Sequence, residues 1–166
     1  IPELLKLLEV KGCIVTIDAM GCQKEIAREI SDQKADYVLA LKGNQSALHD
    51  DVRTFMDDRI TRGVTQQGDY HETVEKSHGR IETRKCWTCG QVDWLTQRHA
   101  WAGLAAMVAV ECTRTVNDKT STERRYFISS HSGQQAQKLA ALIRNHWRVE
   151  NSLHWTLDVC FNEDQC

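Results

Sequence analysis

Two short, continuous apolar runs lie close together near the start of this chain of 166 residues. The first is Cys13–Asp18, the second is Asp36–Leu41, and Gln23–Gln33 between them has apolar residues at helical spacing. Continuous apolar strands are typical of strands covered on both faces, and a strand–helix–strand unit this short pairs its strands in parallel. The sequence therefore predicts an α/β fold with a β-α-β unit at its start.

Alternating patterns dominate the middle of the chain. Tyr70–Lys76 and Arg80–Trp87 predict one hairpin, and Met107–Thr115 with Thr122–Ser129 predict a second one around Asn117-Asp118. A longer helix is predicted before them, at about 45–59. After them, Ser132-Gly133-Gln134-Gln135 has the spacing of a capping box, and the helix that follows is predicted to run to about Leu157.

These patterns divide the chain into three parts. Residues 1–63 are predicted to form the first part of an α/β core, 64–130 a β-rich insertion, and 131–166 a C-terminal helical part of the core. Ile1-Pro2 is not a translation start. We therefore expect the chain to be an N-terminally truncated fragment of a longer protein.

The seven cysteines predict free thiols rather than a disulfide framework. Cys13, Cys112 and Cys160 lie in apolar segments, which favours buried thiols in a reducing cytoplasm. Cys86 and Cys89 form a lone Cys-x-x-Cys pair, which we interpret as ordinary strand or turn thiols rather than a zinc or redox site. No apolar run is long enough to span a membrane, and no signal peptide is visible.

Charge is unevenly distributed along the sequence, although the net charge is only −2. Residues 70–148 carry 12 basic and 7 acidic residues, whereas 149–166 carry 4 acidic residues and no basic one. An acidic end beside a basic middle fits a metal site next to a phosphate-binding surface. Arginines on solvated strand faces would give the same charge pattern, so charge alone leaves both interpretations open.

One strand end and one helix face carry the candidate metal ligands. Asp18 ends the first apolar run, while His146, Glu150, His154 and Asp158 recur at steps of four and therefore share a helix face. Ligand sites in parallel sheets lie beyond the carboxyl ends of the strands, and Mg²⁺ prefers carboxylate oxygen. The pattern makes Asp18 and Glu150 candidate catalytic metal ligands.

Several alternatives remain for the same residues. Asp18 could form a turn without binding metal, and Glu150 could lie on a solvated helix face. His146 and His154 could bind Zn²⁺ together with Glu150, although such histidines more often hydrogen-bond to a metal ligand or pack against neighbours. Asp158 could hydrogen-bond to a ligand, lie at the end of the helix or be a further ligand itself.

Four motifs resemble those of H-repeat-associated, insertion-sequence-type DDE transposases. Val15–Lys24 is similar to the second-aspartate motif of that family, and Asp36–Gln45 is similar to its next strand and turn. His78–Arg84 resembles its β-insert. His146–Val159, with 161–164, resembles its C-terminal glutamate signature. The similarity covers essentially the whole chain in order.

The resemblance implies a ribonuclease-H-like mixed sheet interrupted by a β-rich insertion before the glutamate helix. It implies Mg²⁺- or Mn²⁺-dependent strand cleavage and strand transfer on transposon ends and target DNA, with Asp18 as the second catalytic acid and Glu150 as the third. The first acid is expected upstream of Ile1. Such proteins are expected to act in the bacterial cytoplasm on the nucleoid, with a homodimer as the expected assembly.

Two other hypotheses stay open at this point. One is a non-catalytic DNA-binding or assembly remnant of a transposase, which would fit the missing first acid. The other is a zinc-dependent hydrolase built on the histidines of the C-terminal stripe.

Basic and amide side chains near the predicted site are the candidate DNA contacts. They are Lys42, Asn44, Arg80, Arg84, Arg144 and Arg148. Asn44 could instead cap the following helix, and Glu82 shares the strand face of Arg80 and Arg84 and could neutralise them. Trp87, Trp94 and Trp101 could stack on a displaced base or pack in the core.

Overall fold

The fold is described by a computed structural model that covers residues 1–64, 66–77 and 79–148. These residues form four helices and six strands. The helices are α1 (Pro2–Leu7), α2 (Lys24–Asp32), α3 (Ser46–Arg62) and α4 (Ala136–Arg148), and the strands are β1 (Ile14–Ile17), β2 (Asp36–Leu41), β3 (Gly68–Ser77), β4 (Arg80–Cys89), β5 (Ala106–Val116) and β6 (Lys119–Ser129). Short 3₁₀ turns occupy Gly43–Gln45 and Arg98–Ala100. No described helix is long and apolar enough to cross a membrane.

All six strands belong to one mixed sheet with the order β1-β2-β6-β5-β4-β3. β1 and β2 are parallel, and every other neighbouring pair is antiparallel. The predicted β-α-β unit and the α/β class are therefore confirmed. β6 pairs directly with β2, so the strands of the predicted 64–130 insertion continue the sheet begun by the first two strands. The three-part division and the ribonuclease-H-like assignment stay predictions.

β2 is covered by helices on both faces of the sheet. Tyr37, Leu39 and Leu41 face a core formed with α2 and α3, whereas Val38 faces a second core formed with α4. This confirms that β2 is covered on both faces, as its continuous apolar run predicted. β1 is only half-buried along its length, because it lies at the edge of the described sheet.

Both predicted hairpins are present in the expected register. Tyr70 pairs with Trp87 in the first one, and Thr113 pairs with Thr122 in the second one. Asn117 and Asp118 both have positive φ, 46° and 60°, as a two-residue hairpin turn of the primed type requires. Asn and Asp tolerate this conformation better than other residues with side chains. The turn residues thus explain why the second hairpin closes where it does.

The start of α4 differs from its prediction. The helix begins at Ala136, four positions after Ser132, so the capping-box interpretation is wrong. The backbone N–H of Ala136 donates instead to Asp69 Oδ2 at 2.8 Å, and Asp69 Oδ1 accepts from the N–H of Tyr70. A carboxylate from the start of β3 therefore satisfies a helix N-terminus far away in sequence. The predicted continuation of the helix to Leu157 falls outside the described residues.

α4 contacts both edge strands of the sheet, since it packs on β3 and β4 and also on β1. Leu139 and Ile143 are the main buried residues of its inner face. Arg125 of β6 lies 4.3 Å above the ring of Trp147, which packs beside them. Trp147 is thus partly buried against the second core. The contact with β1 is the one that positions the candidate site.

Candidate active site

Asp18 directly follows β1 and opens a tight turn. Its Oδ1 accepts the backbone N–H of Gly21 at 3.2 Å, and its side chain is half-buried. The turn-forming role considered for this residue is therefore present. Hydrogen bonding through one carboxylate oxygen also fixes the orientation of the whole group at the carboxyl end of the strand.

Gly21 allows the turn to fold back onto β1. A Cβ at this position would lie 2.3 Å from Cγ2 of Ile17, far inside van der Waals contact. A side chain here would therefore force Ile17 or the turn to move. The glycine explains why the segment after Asp18 stays close to β1.

The turn that follows β2 supports the loop after Asp18. Asn44 donates its side-chain amide to the carbonyl of Ala19 at 2.6 Å, and Gln45 donates to the carbonyl of Cys22 at 3.0 Å. Because β1 and β2 are parallel, both loops leave the same edge of the sheet. The alternative that Asn44 caps α3 is wrong, since Gln45 occupies the N-cap position and makes no side-chain capping bond. Lys42 is exposed at the same edge.

His146 joins the last turn of α4 to β1. Its Nδ1 lies 3.1 Å from Oγ1 of Thr16, two residues before Asp18. Its Nε2 is buried and has no hydrogen-bond partner within the part of the chain that the structure describes. The helix that leads toward the predicted glutamate thus reaches the strand that ends at Asp18.

Three of the predicted DNA-contact arginines already have acidic partners. Arg84 lies 2.7 Å from Glu82, and Arg80 lies 3.5 Å from the same carboxylate. Arg144 donates from both terminal nitrogens to the two carboxylate oxygens of Glu75. The hydrogen bond from Arg144 lowers the pKa of Glu75, and the positive charge of Arg84 acts in the same direction. The predicted neutralisation by Glu82 is therefore present in the structure, and Glu75 adds a second acidic partner. The side chain of Arg148 lies outside the described residues.

A family model for the DDE domain of transposases matches residues 1–166. The chain belongs to this transposase family. An "H repeat-associated putative transposase YhhI" of Escherichia coli K12 is 42% identical over 172 aligned residues, which cover 100% of this chain and 44% of that protein. A protein in the dhlA 3′ region of Xanthobacter autotrophicus is 53% identical over 80% of this chain and 44% of its own length.

This DDE domain spans less than half the length of those curated relatives. A "Putative transposase YncI" of Escherichia coli O157:H7 is 44% identical over 99% of this chain, and the match covers 42% of that protein. No solved structure matches the chain. The predicted resemblance to H-repeat-associated transposases is confirmed.

Three residues of the predicted site in this DDE domain lie outside the described residues, namely Glu150, His154 and Asp158. Among the residues that are described, no three His, Cys, Asp or Glu side chains come close enough to hold one metal ion. The zinc alternative needs two of the undescribed residues. It therefore stays a prediction, as does the carboxylate pair.

The tryptophans of the domain differ in their exposure. Trp101 is 2% exposed and belongs to the core, and Trp87 is partly buried against the ring of Tyr70. Trp94 is 44% exposed and packs on Phe55, with ring centroids 4.8 Å apart. Trp101 therefore has the core-packing role that was considered as the alternative, and Trp87 has it in part.

The prediction of buried thiols is wrong for Cys13 and holds only in part for Cys112, which is half-buried, and Cys160 lies outside the described residues. Cys13 is exposed because it precedes β1 rather than lying within it. Cys86 and Cys89 are both buried in β4, as expected of ordinary strand thiols. Burial raises the pKa of the Cys86 thiol to about 12.

Sequence patterns missed the residues that support the site. Thr16 is an ordinary strand threonine in the sequence, and Glu75 is one acid in an alternating hairpin. A spacing signal was present only for Glu82, which lies two residues from Arg80 and from Arg84. The partners of Thr16 and Glu75 are set by the docking of α4, which no local pattern encodes.

Proposed function

We propose that this DDE domain takes part in metal-dependent DNA strand cleavage and strand transfer, and that Asp18 and Glu150 hold the metal. The observation that carries the proposal is the contact between Thr16 and His146. It fastens α4 to the strand that ends at Asp18, and Glu150 follows His146 by four positions in the sequence. The proposed partner is transposon-end and target DNA in the bacterial cytoplasm, with a homodimer as the proposed assembly.

The donor chemistry of the described residues fits a hard divalent ion. Asp18 offers a carboxylate whose orientation is fixed by the N–H of Gly21, at a sheet edge supported by Asn44. Mg²⁺ or Mn²⁺ prefers such oxygen donors. When bound, the metal would activate the attacking oxygen and stabilise the leaving oxygen.

The protein itself would supply positioning and charge. Asp18 and its supported loop would hold one side of the site, and the bond from Thr16 to His146 would hold the last turn of α4 against it. Lys42, exposed at the same edge, would face the DNA backbone. Such positioning, with no covalent enzyme intermediate, is the main source of catalysis in phosphoryl transfer.

A second candidate is a DNA-binding or assembly role without catalysis. DNA binding without nicking by a form extended upstream would support this candidate.

Nicking of supercoiled DNA in the presence of Mn²⁺ tests the proposal. The chain and a form extended upstream through the next strand aspartate would each carry Asp18→Ala or Glu150→Ala. Asp58→Ala on α3 is the control, since this exposed carboxylate only pairs with Arg62. We expect activity in the extended form, lost with either site variant and kept in the control. Activity that survives Asp18→Ala, or that needs Zn²⁺ instead, would contradict the proposal.

A further inference from the structure

The far ends of the two hairpins present a basic surface beside α4. Glu75, Glu82 and Arg114 lie side by side in register on β3, β4 and β5. Arg80 and Lys119 lie two positions further along, and residues two apart on a strand share a face. We call the group Arg80, Arg114, Lys119 and Arg144 the hairpin-end surface.

The two carboxylates of this region differ in accessibility. Glu82 is only 7% exposed, lies 2.7 Å from Arg84 and accepts a hydrogen bond from the thiol of Cys112. Removing a buried carboxylate from such partners is costly. The side chain of Glu75 is 40% exposed. Glu75 also lies 3.5 Å from Arg84, which keeps Glu82 as a partner at 2.7 Å. Glu75 can therefore leave Arg144 without leaving a buried charge unpaired.

Arg144 is held by Glu75 in the geometry that guanidinium groups also use with phosphate. Its two terminal nitrogens meet the two carboxylate oxygens, and its side chain is 42% exposed. A planar guanidinium binds carboxylate and phosphate with the same parallel pair of hydrogen bonds. The carboxylate of Glu75 thus occupies the position that a phosphate would take.

We propose that a backbone phosphate of duplex DNA replaces Glu75 on Arg144 when DNA binds along the hairpin-end surface. The inference rests on the proposed function, which makes DNA the partner. Exposed ion pairs contribute little to stability, so exchanging Glu75 for phosphate costs little. Contacts between phosphates and the other basic residues of the surface would release counterions and favour the exchange.

DNA binding without metal tests the exchange separately from catalysis. Fluorescence anisotropy with a labelled linear duplex in EDTA would be measured from about 50 to about 200 mM KCl. The key variant is Glu75→Gln, which keeps the size of the side chain and removes its charge. Asp58→Asn is the matched control, because this exposed carboxylate also pairs with an arginine, on α3 and on the opposite face of the sheet.

We expect Glu75→Gln to bind DNA several-fold more tightly than the parent. The slope of log K against log salt should steepen by about one, since Arg144 loses its acidic partner whereas Arg84 keeps Glu82. Asp58→Asn should change neither quantity by as much. Arg144→Gln should weaken binding, and Glu75→Gln in that background should give no gain. Arg144→Lys, which keeps the charge but cannot pair bidentately, should recover only part of the affinity.

Three results would overturn the exchange: weaker binding by Glu75→Gln, a gain no larger than that of Asp58→Asn, or a gain that persists with Arg144→Gln. If the parent and every variant fail to bind DNA, the proposed function fails as well. If DNA binds but the Glu75 effect is absent, the inference alone fails. Thermal unfolding of each variant would confirm that the comparisons are made between folded proteins.

Discussion

The hydroxyl of Thr16 lies 3.1 Å from Nδ1 of His146, although 130 positions separate the two residues in the sequence. This contact joins edge strand β1 to the last turn of α4. Two positions earlier on the same helix, Arg144 bonds to Glu75 on β3, the strand at the opposite edge of the sheet. The C-terminal half of α4 is thus fastened to both edges of the described sheet.

Removing the hydroxyl of Thr16 should destabilise this junction. Thr16→Val keeps the shape of the side chain but leaves Nδ1 of His146 without its partner, which costs about 1–2 kcal/mol. Thr16→Ser keeps the hydroxyl and serves as the control. Urea unfolding of both variants measures the difference, and equal stability of Thr16→Val and Thr16→Ser would contradict a structural role for the hydrogen bond.

The turn after Asp18 should not tolerate a side chain at Gly21. Gly21→Ala places a methyl group 2.3 Å from Cγ2 of Ile17, so the turn or the strand must shift, at a cost of about 1–3 kcal/mol. Gly43→Ala is the matched control, because nothing lies within 4 Å of its added Cβ. Thermal unfolding should show a clear loss for Gly21→Ala and little change for Gly43→Ala. Similar melting temperatures for the two would show that the turn is not tightly packed on β1.

Local patterns predicted the elements of this fold well. Continuous apolar runs predicted β1 and β2 to within a few residues, and helical spacing predicted the helix between them. The residue types of Asn117 and Asp118 predicted the turn of the second hairpin. Each of these depends on neighbours in the sequence. The prediction of Asp18 at a strand end succeeded for the same reason.

Long-range pairing could not be predicted in this way. The antiparallel register of β6 on β2, with Val38 opposite Ser129, joins segments about ninety residues apart. The prediction of where α4 starts was wrong for a related reason. The sequence offers a local cap in Ser132, whereas the folded chain uses the carboxylate of Asp69. Tertiary contacts of this kind override local propensity, because they depend on strand order rather than on spacing.

Substitutions at Asp69 and at Ser132 test which of these two residues caps α4. Asp69→Ala removes the acceptor of the Ala136 N–H and should cost about 0.5–2 kcal/mol, the usual range for a lost helix cap. Asp69→Asn keeps an oxygen acceptor and should cost less. Ser132→Ala should have little effect, since Ser132 precedes the helix by four positions. If Ser132→Ala proves the more harmful change in chemical unfolding, the local capping box would be the true cap.

The three tyrosines of the sequence should ionise only at unusually high pH in the folded protein. Burial raises the pKa of Tyr126 to about 12, and its hydrogen bond to Asp57 acts in the same direction. Partial burial and a hydrogen bond to Glu72 raise the pKa of Tyr70 to about 12, and burial raises the pKa of Tyr37 further.

Because a tyrosine in the unfolded chain ionises near pH 10, the folded state favours the neutral phenols. Their contribution to stability is fully present below about pH 10 and is lost as the pH rises toward about 12. Phenolate absorbance should therefore stay low through pH 10 and then rise cooperatively with unfolding, whereas protein in urea should titrate near pH 10. Tyr126→Phe should remove one ionising group from this late transition. A smooth titration near pH 10 in the folded protein would contradict the prediction.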